Sequence, residues 1–131
     1  MKITRAADYS LRLLVKLASL GDGTQSRPLA EEIEIPFNHF NKLTRLLARR
    51  GFIATRKGKG GGLKLARDPK KITLMEVIEA VEGPIILNHC LFHRRSCRFS
   101  VKCRVRKTLC VVQKTMKKML TERTIHDMLI A

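Results

Sequence analysis

Residues 58–62 of this 131-residue chain read Gly58-Lys59-Gly60-Gly61-Gly62, four glycines in five positions. No helix or strand runs through such a segment, because glycine loses more conformational freedom on ordering than any other residue. The chain is therefore cut there into separate elements. On both sides the apolar period is two, with Phe52-Ile53-Ala54-Thr55-Arg56-Lys57 before the glycines and Leu63-Lys64-Leu65-Ala66 after them, each a short strand. A phosphate-cradling loop is disfavoured: Gly62 leads into a strand rather than a helix, and no Gly-Lys-Ser/Thr ending follows. The expected element is a hairpin with a glycine-rich tip.

Upstream the period is helical. Thr4 caps a first helix in which Leu11, Leu14, Val15 and Ala18 recur at helical spacing until Gly21-Asp22-Gly23 ends it. A short second helix starts near Arg27-Pro28, with proline at an early position where no amide bond is lost. Its Leu29, Ala30 and Ile33 face inward, and Ile35-Pro36 breaks it. A third helix is expected from about Phe37 to Arg50, burying Phe40, Leu43, Leu46 and Leu47, with Gly51 as its stop. Two helices joined by so tight a turn form a helix-turn-helix, and a hairpin directly after the second of them is a wing.

Downstream, Lys71-Ile72-Thr73 opens another helix, in which Thr73 and Glu76 stand at capping-box spacing. Leu74, Val77, Ile78 and Val81 make its inner face, and Gly83-Pro84 closes it. Residues 88–104 carry neither periodicity. A last helix from about Arg104 to Leu120 sets Val105, Leu109, Val112, Met116 and Met119 at alternating steps of four and three. That seam is too short for a free coiled coil and suits a dimer arm. The expected fold class is mainly α with a small β-hairpin wing, a winged helix-turn-helix domain plus a long dimerisation helix.

Charge separates the function classes. Lys and Arg number 27 against 11 Asp and Glu, a formal net charge of +16, in a chain 29% charged and 44% hydrophobic. Residues 42–71 hold eleven basic side chains against the single Asp68, and residues 90–131 hold eleven against Glu122 and Asp127. Two separated basic blocks are a polyanion footprint of the kind that gains affinity by releasing counterions. Nucleic acid fits better than a membrane surface, because no segment pairs a basic face with the bulky apolar face of an interfacial helix. No apolar run approaches the roughly 20 residues of a membrane span, and Arg5 and Asp8 interrupt the N-terminus before a signal peptide could form. A cytoplasmic protein is expected, its four cysteines reduced and available for metal or redox chemistry.

The first turns of the third helix carry Asn38, His39, Asn41 and Lys42 beside Phe37 and Phe40. Asn bonds bidentately to adenine, Lys and His reach guanine acceptors, and helix-turn-helix proteins set this part of the second helix against base edges. Arg45, Arg49 and Arg50 lie farther along, toward phosphates or solvent. Lys57 and Lys59 place cations on the wing, within reach of the minor groove.

Cys90, Cys97, Cys103 and Cys110 follow a C-x6-C-x5-C-x6-C spacing, with His89 and His93 among them. The close Cys pair of zinc fingers and ribbons is absent, and wider spacings in an irregular loop suit thiolates converging on an iron–sulfur cluster. Arg94, Arg95, Arg98, Lys102 and Arg104 favour the thiolate form and offset its charge. If a helix begins near Lys102, Cys103 and Cys110 stand about 10.5 Å apart along its axis, too far for both to grip one small cluster comfortably, which favours Cys110 as a packed thiol beside the dimer seam. Cys90, Cys97 and Cys103 are then the better trio. A fourth ligand stays open among His89, His93, Cys110 and a carboxylate from elsewhere.

These pieces together resemble the IscR/NsrR family of iron–sulfur winged-helix regulators over nearly the whole chain. The resemblance rests on Asp8-Tyr9-Ser10-Leu11-Arg12, Leu29-Ala30 with Ile35, the Arg56-to-Leu65 wing, Leu74-Met75-Glu76-Val77-Ile78 with Glu82-Gly83, and the Cys-rich loop before a long helix. It implies a homodimer that swaps this helix across its partner and a cluster, 2Fe-2S or 4Fe-4S, held by three Cys and modulating operator affinity. Cys90, Cys97 and Cys103 match those ligands, although the first gap is six residues rather than the usual five. Some members add a His three residues after the last Cys, where this chain has Arg106. Nitric-oxide-sensing members use a first-helix Asp that reaches the partner subunit's cluster, and Asp8 matches it. Lys57 matches the minor-groove reader, while Asn38 and Asn41 match base-reading positions.

The expected organisation is 1–83 as winged helix-turn-helix DNA-binding domain, 84–103 as Cys-rich cluster-binding loop, and 104–131 as dimerisation helix and C-terminal tail. The expected function is a homodimeric regulator that binds a double-stranded DNA operator under control of a cluster sensing iron, redox or nitric oxide status. The alternative is a cluster-free winged-helix regulator answering to a metabolite or partner protein. An enzyme is not expected: there is no Cys-x-x-Cys pair and no general-base constellation. RNA binding is disfavoured too, since one Tyr and five Phe offer no stacking platform.

Overall fold

The computed structural model describes residues 2–21, 23–58, 62–93 and 97–129. Helix α1 (Arg5–Leu20) begins where the Thr4 hydroxyl accepts the Ala7 N–H and ends at Gly21, whose φ of 72° suits glycine. Its innermost residues are Ala7, Ser10, Leu13, Leu14 and Leu17. Of the residues set at helical spacing, Leu14 is buried, while Leu11, Val15 and Ala18 form the half-buried flank. The stripe is wider than spacing implied because α1 packs on α3, the hairpin and α4 together. Ser10 is tolerated at the core because its hydroxyl donates to the Ala6 carbonyl at 2.7 Å.

Helix α2 (Ser26–Glu32) stops earlier than Ile35-Pro36. Glu34 turns the chain with a φ of 55°, and the Ile35 N–H returns to the Ala30 carbonyl at 3.0 Å. Ile33 and Ile35 are both buried, so the turn is locked by its own side chains. Helix α3 (Phe37–Arg49) buries Phe40, Leu43, Thr44 and Leu47, with Leu46 only half-buried. Phe52 N–H bonds to the Leu47 carbonyl and Gly51 N–H to that of Ala48, a Schellman ending that aims the chain into the wing.

Strands β1 (Ile53–Arg56) and β2 (Gly62–Leu65) pair antiparallel with Ile53 opposite Leu65 and Arg56 opposite Gly62. The hairpin is not free. Thr24, in the α1–α2 loop, exchanges two backbone hydrogen bonds with Leu63 at 3.0 and 2.7 Å, adding one rung to β2. Gly62 has a φ of 145°, and a Cβ there would overlap the Thr24 carbonyl. Close backbone approach is what requires glycine at this position.

Helix α4 (Leu74–Glu82) starts with the complete Thr73–Glu76 capping box and buries Met75, Val77 and Ile78, while Leu74 and Val81 are half-buried. Within 88–104, expected to be irregular, Asn88 caps a one-turn helix α5 (His89–Phe92). Helix α6 (Arg104–Thr121) lies against α4 and α5 and contains no buried residue. After it the chain turns back: Ile125 is fully buried, its N–H bonds to the Ile72 carbonyl at 2.8 Å, and Leu74 N–H bonds to that of Arg123.

Candidate functional site

On α3 the side chains of Asn38, His39, Lys42 and Arg45 are exposed and Asn41 is half-buried. They stand opposite Phe40, Leu43 and Leu47, which bind the helix to the core, so the polar face is presented by a rigid element. The His39 ring meets Tyr9 of α1 edge-on, centroids 6.4 Å apart, and the Arg27 guanidinium lies 4.2 Å above the Phe37 ring. Lys57 is exposed at the end of β1, while Lys59 falls outside the described residues.

Among the described basic residues of 42–71, only Arg67 forms an ion pair, with Glu76 at 3.2 Å. Burial pushes the Glu76 carboxyl up, but the Thr73 backbone N–H and the Arg67 guanidinium together hold it below the usual glutamate range. The remaining positive charge faces solvent along α3 and the hairpin, as an anion-binding surface requires.

The four cysteines are free thiols, all half-buried. Cys103 is the N-cap of α6 and its Sγ accepts the Arg106 N–H at 3.4 Å. Arg106 also donates from Nε to the Cys90 carbonyl at 3.2 Å, so one residue ties the Cys90 turn to the Cys103 cap. His89 and His93 meet edge to face with centroids 4.8 Å apart beside Cys90. Cys97 begins the turn that leads into α6, and Cys110 lies on that helix's half-buried side. Among the described residues no group of three His, Cys, Asp or Glu stands close enough together to hold a metal ion. The donor chemistry nonetheless fits an iron–sulfur cluster, because soft, unpaired thiols in a cationic segment are the ligands it takes.

Asp8 sits on α1 with its carboxylate 3.0 Å from Arg12. Arg12 also donates to the Ile33 carbonyl at 3.0 Å, linking Asp8 to the turn that precedes α3. Asp8, Leu11, Val15, Ile33, Leu74 and Met128 border an open, largely apolar groove of about 610 Å³.

Residues 3–131 match the Rrf2 family, described as iron-dependent transcriptional regulators. The chain belongs to the Rrf2 family. Two relatives named HTH-type transcriptional regulator NsrR support the assignment. That of Shouchella clausii is 33% identical, with 99% of this chain and 89% of the relative covered. That of Bacillus subtilis is 31% identical, with 98% and 90% covered. Among solved structures, IscR of T. potens superposes with a TM-score of 0.78 at 20% identity, covering 98% of this chain and 85% of that one. CymR, the global cysteine regulator of B. subtilis, superposes at 0.76 and 20% identity, covering 97% of this chain and 95% of that one. The fold is therefore the Rrf2 winged helix, and the protein is a DNA-binding transcription regulator rather than an enzyme. No described helix is long and apolar enough to cross a membrane.

Three contributors have no local sequence signature. The glycine run was legible as a loop, but the Thr24–Gly62 approach that fixes the wing depends on contact across 38 positions. Arg106 reads as one more cation of a basic segment until its two hydrogen bonds are seen. The Arg12 bridge between Asp8 and Ile33 likewise spans two helices.

Proposed function

We propose that this Rrf2 protein is a homodimeric operator-binding regulator controlled by an iron–sulfur cluster on Cys90, Cys97 and Cys103, with Asp8 supplied by the partner subunit. Its parts are the winged domain 1–83, the cysteine segment 84–103 and the dimerisation helix with its tail, 104–131. Asn38, His39, Asn41 and Lys42 address base edges in the major groove, Arg45 the groove wall, and Lys57 and Lys59 the minor groove beside the wing. The observation that carries the DNA reading is the row of cations on α3 and the hairpin with no ion-pair partner among the described residues.

Dimerisation is supported by the seam of α6. Val105, Val112 and Met119, seven residues apart, are 65%, 47% and 63% exposed, whereas Leu109 and Met116 rest half-buried against their own protomer. The cluster reading is supported by the free thiols and by the relatives' family description. When bound, the cluster supplies reactivity toward oxidants, nitric oxide or iron supply. The chain supplies the response. If Asp8 turned to the partner, Arg12, which bridges Asp8 and the Ile33 carbonyl at the entrance to α3, would lose its carboxylate partner.

The open groove beside Asp8 favours a second reading, a cluster-free regulator that binds a metabolite or partner protein there. One comparison separates the two. Anaerobically purified wild type should be coloured, with stoichiometric iron and acid-labile sulfide, and Cys90, Cys97 and Cys103 changed together to Ala should abolish both. A colourless wild type that no reconstitution loads, with regulation unaltered in the triple variant, would sink the cluster reading and leave the second.

A further inference from the structure

Helix α6 has two exposed faces of different chemistry. Val105, Val112 and Met119 form the apolar seam. A second face carries Arg104, Lys107, Lys114 and Lys118, all exposed, with Val111 the one apolar side chain among them. At 3.6 residues per turn these four cations are centred roughly 120° around the helix from the seam, so pairing through the seam leaves them open. The rotation of the helix is set on its inner side. There the Gln113 side-chain oxygen accepts the Leu87 N–H at 2.8 Å, and Leu109, Met116 and Leu120 are half-buried. Residues 104–123 hold seven basic side chains against the single Glu122. Of the four cations on the outer face only Lys118 has an ion-pair partner among the described residues, Glu122 at 3.8 Å, and so exposed a pair compensates little.

We propose that this outer face of α6 is a second duplex-DNA surface, where Arg104, Lys107, Lys114 and Lys118 neutralise backbone phosphates, so that a protein holding its operator on α3 binds a further DNA segment of any sequence. The inference rests on the reading of α3 as the operator interface and goes beyond it. Helix α6 packs on α4 and α5, and the cationic face is turned away from both.

Three observations choose the partner. The first is residue type. Three of the four cations are lysines, which are depleted from protein–protein interfaces and act as point charges toward phosphate. The second is the lack of a stacking platform. Helix α6 contains no aromatic residue, so single strands, which are held by stacking their bases, fit worse than a duplex held by its phosphates. The third is reach. Arg104 to Lys118 spans about 21 Å of helix axis. At one phosphate per 3.4 Å along each strand, that length faces about six phosphates.

The test first binds the intact protein to a bead-tethered duplex of about 30 base pairs, selected by the wild type from a randomised pool. The loaded beads are then offered a fluorescent duplex of unrelated sequence over a range of salt. Wild type should retain the fluorescent duplex, less of it as salt rises. Lys107, Lys114 and Lys118 changed together to Gln should lower that retention about tenfold or more at low salt and flatten its log–log salt slope by about 3 per protomer. Gln is a good helix former, so helix content by circular dichroism should hold, and affinity for the selected duplex should stay within about twofold. The same three positions changed to Arg should keep the retention. Unchanged retention in the Gln variant, or none in the wild type, would overturn the α6 surface while operator binding stands. An equal loss of affinity for the selected duplex would overturn it as well, by placing these lysines in the operator interface. A loaded wild type that takes up a polyglutamate peptide and not the unrelated duplex would overturn the DNA assignment in favour of an acidic protein. Absence of wild-type binding to any selected duplex would instead overturn the α3 reading beneath it.

Discussion

Replacing Gly62 with Ala should detach the wing from the α1–α2 loop. The new Cβ would overlap the Thr24 carbonyl oxygen and stand 2.6 Å from its carbon, and both atoms are backbone with no side-chain freedom to yield. If the strand moves away, it loses the two hydrogen bonds between Thr24 and Leu63, together about 2 kcal/mol. If it stays, an alanine held at a φ of 145° costs about 1–3 kcal/mol in addition to the overlap. Gly58→Ala is the matched control, because Gly58 also has positive φ, 95°, but nothing within 4 Å of its added Cβ. The two variants share the backbone strain and differ in the contact. Urea unfolding at fixed protein concentration should therefore place Gly62→Ala about 2 kcal/mol below Gly58→Ala. Duplex affinity should also fall further in Gly62→Ala, since only that change frees the wing from the α1–α2 loop. Equal stability and equal affinity in the two variants would refute the reasoning that Thr24 pins the wing.

Three further outcomes follow from named contacts. Ile125→Ala removes a fully buried side chain from the tail that returns to the core, and should cost about 2–5 kcal/mol in urea unfolding, where an exposed tail would lose nothing measurable. The Glu76 carboxyl is depressed when folded, so its stabilisation is complete above the unfolded pKa and lost as pH falls through the folded one. The stability difference between wild type and Glu76→Gln should therefore shrink below the ordinary glutamate range, and at neutral pH stay under about 1 kcal/mol because the pair is partly exposed. Val112→Glu puts a charge on the exposed half of the α6 seam and should yield monomers by sedimentation velocity, with native helix content by circular dichroism.

Local rules carried much of the fold. The Thr73–Glu76 box, the Thr4 cap and the glycine at the end of α3 each depend on residues within four positions, and each was legible from spacing alone. The interior was legible as residue types and less so as depth: Leu11, Val15 and Leu46 keep the right period but lie at the edge of the core. What escaped depends on contacts across the fold. Residues 122–129 show no period, yet Ile125 anchors them, fully buried and with its N–H on the carbonyl of Ile72, two residues before α4. At the candidate interface, Asn38, His39, Lys42 and Arg45 are exposed on one rigid face, as helical spacing implied. In the cysteine segment, spacing proposes Cys90, Cys97 and Cys103 as donors, while Arg106 meets the Cys90 carbonyl and Cys103 thiol through contacts no motif encodes.

The most direct test is a single anaerobic titration of the selected duplex with two preparations of the same protein, one carrying measured iron and sulfide and one stripped of both. Coupling between cluster and DNA sites should separate their affinities by about tenfold, within the usual range for linked sites. The stripped form should behave like the triple Cys90, Cys97 and Cys103 to Ala variant. Identical affinities in the loaded and stripped forms would contradict the account.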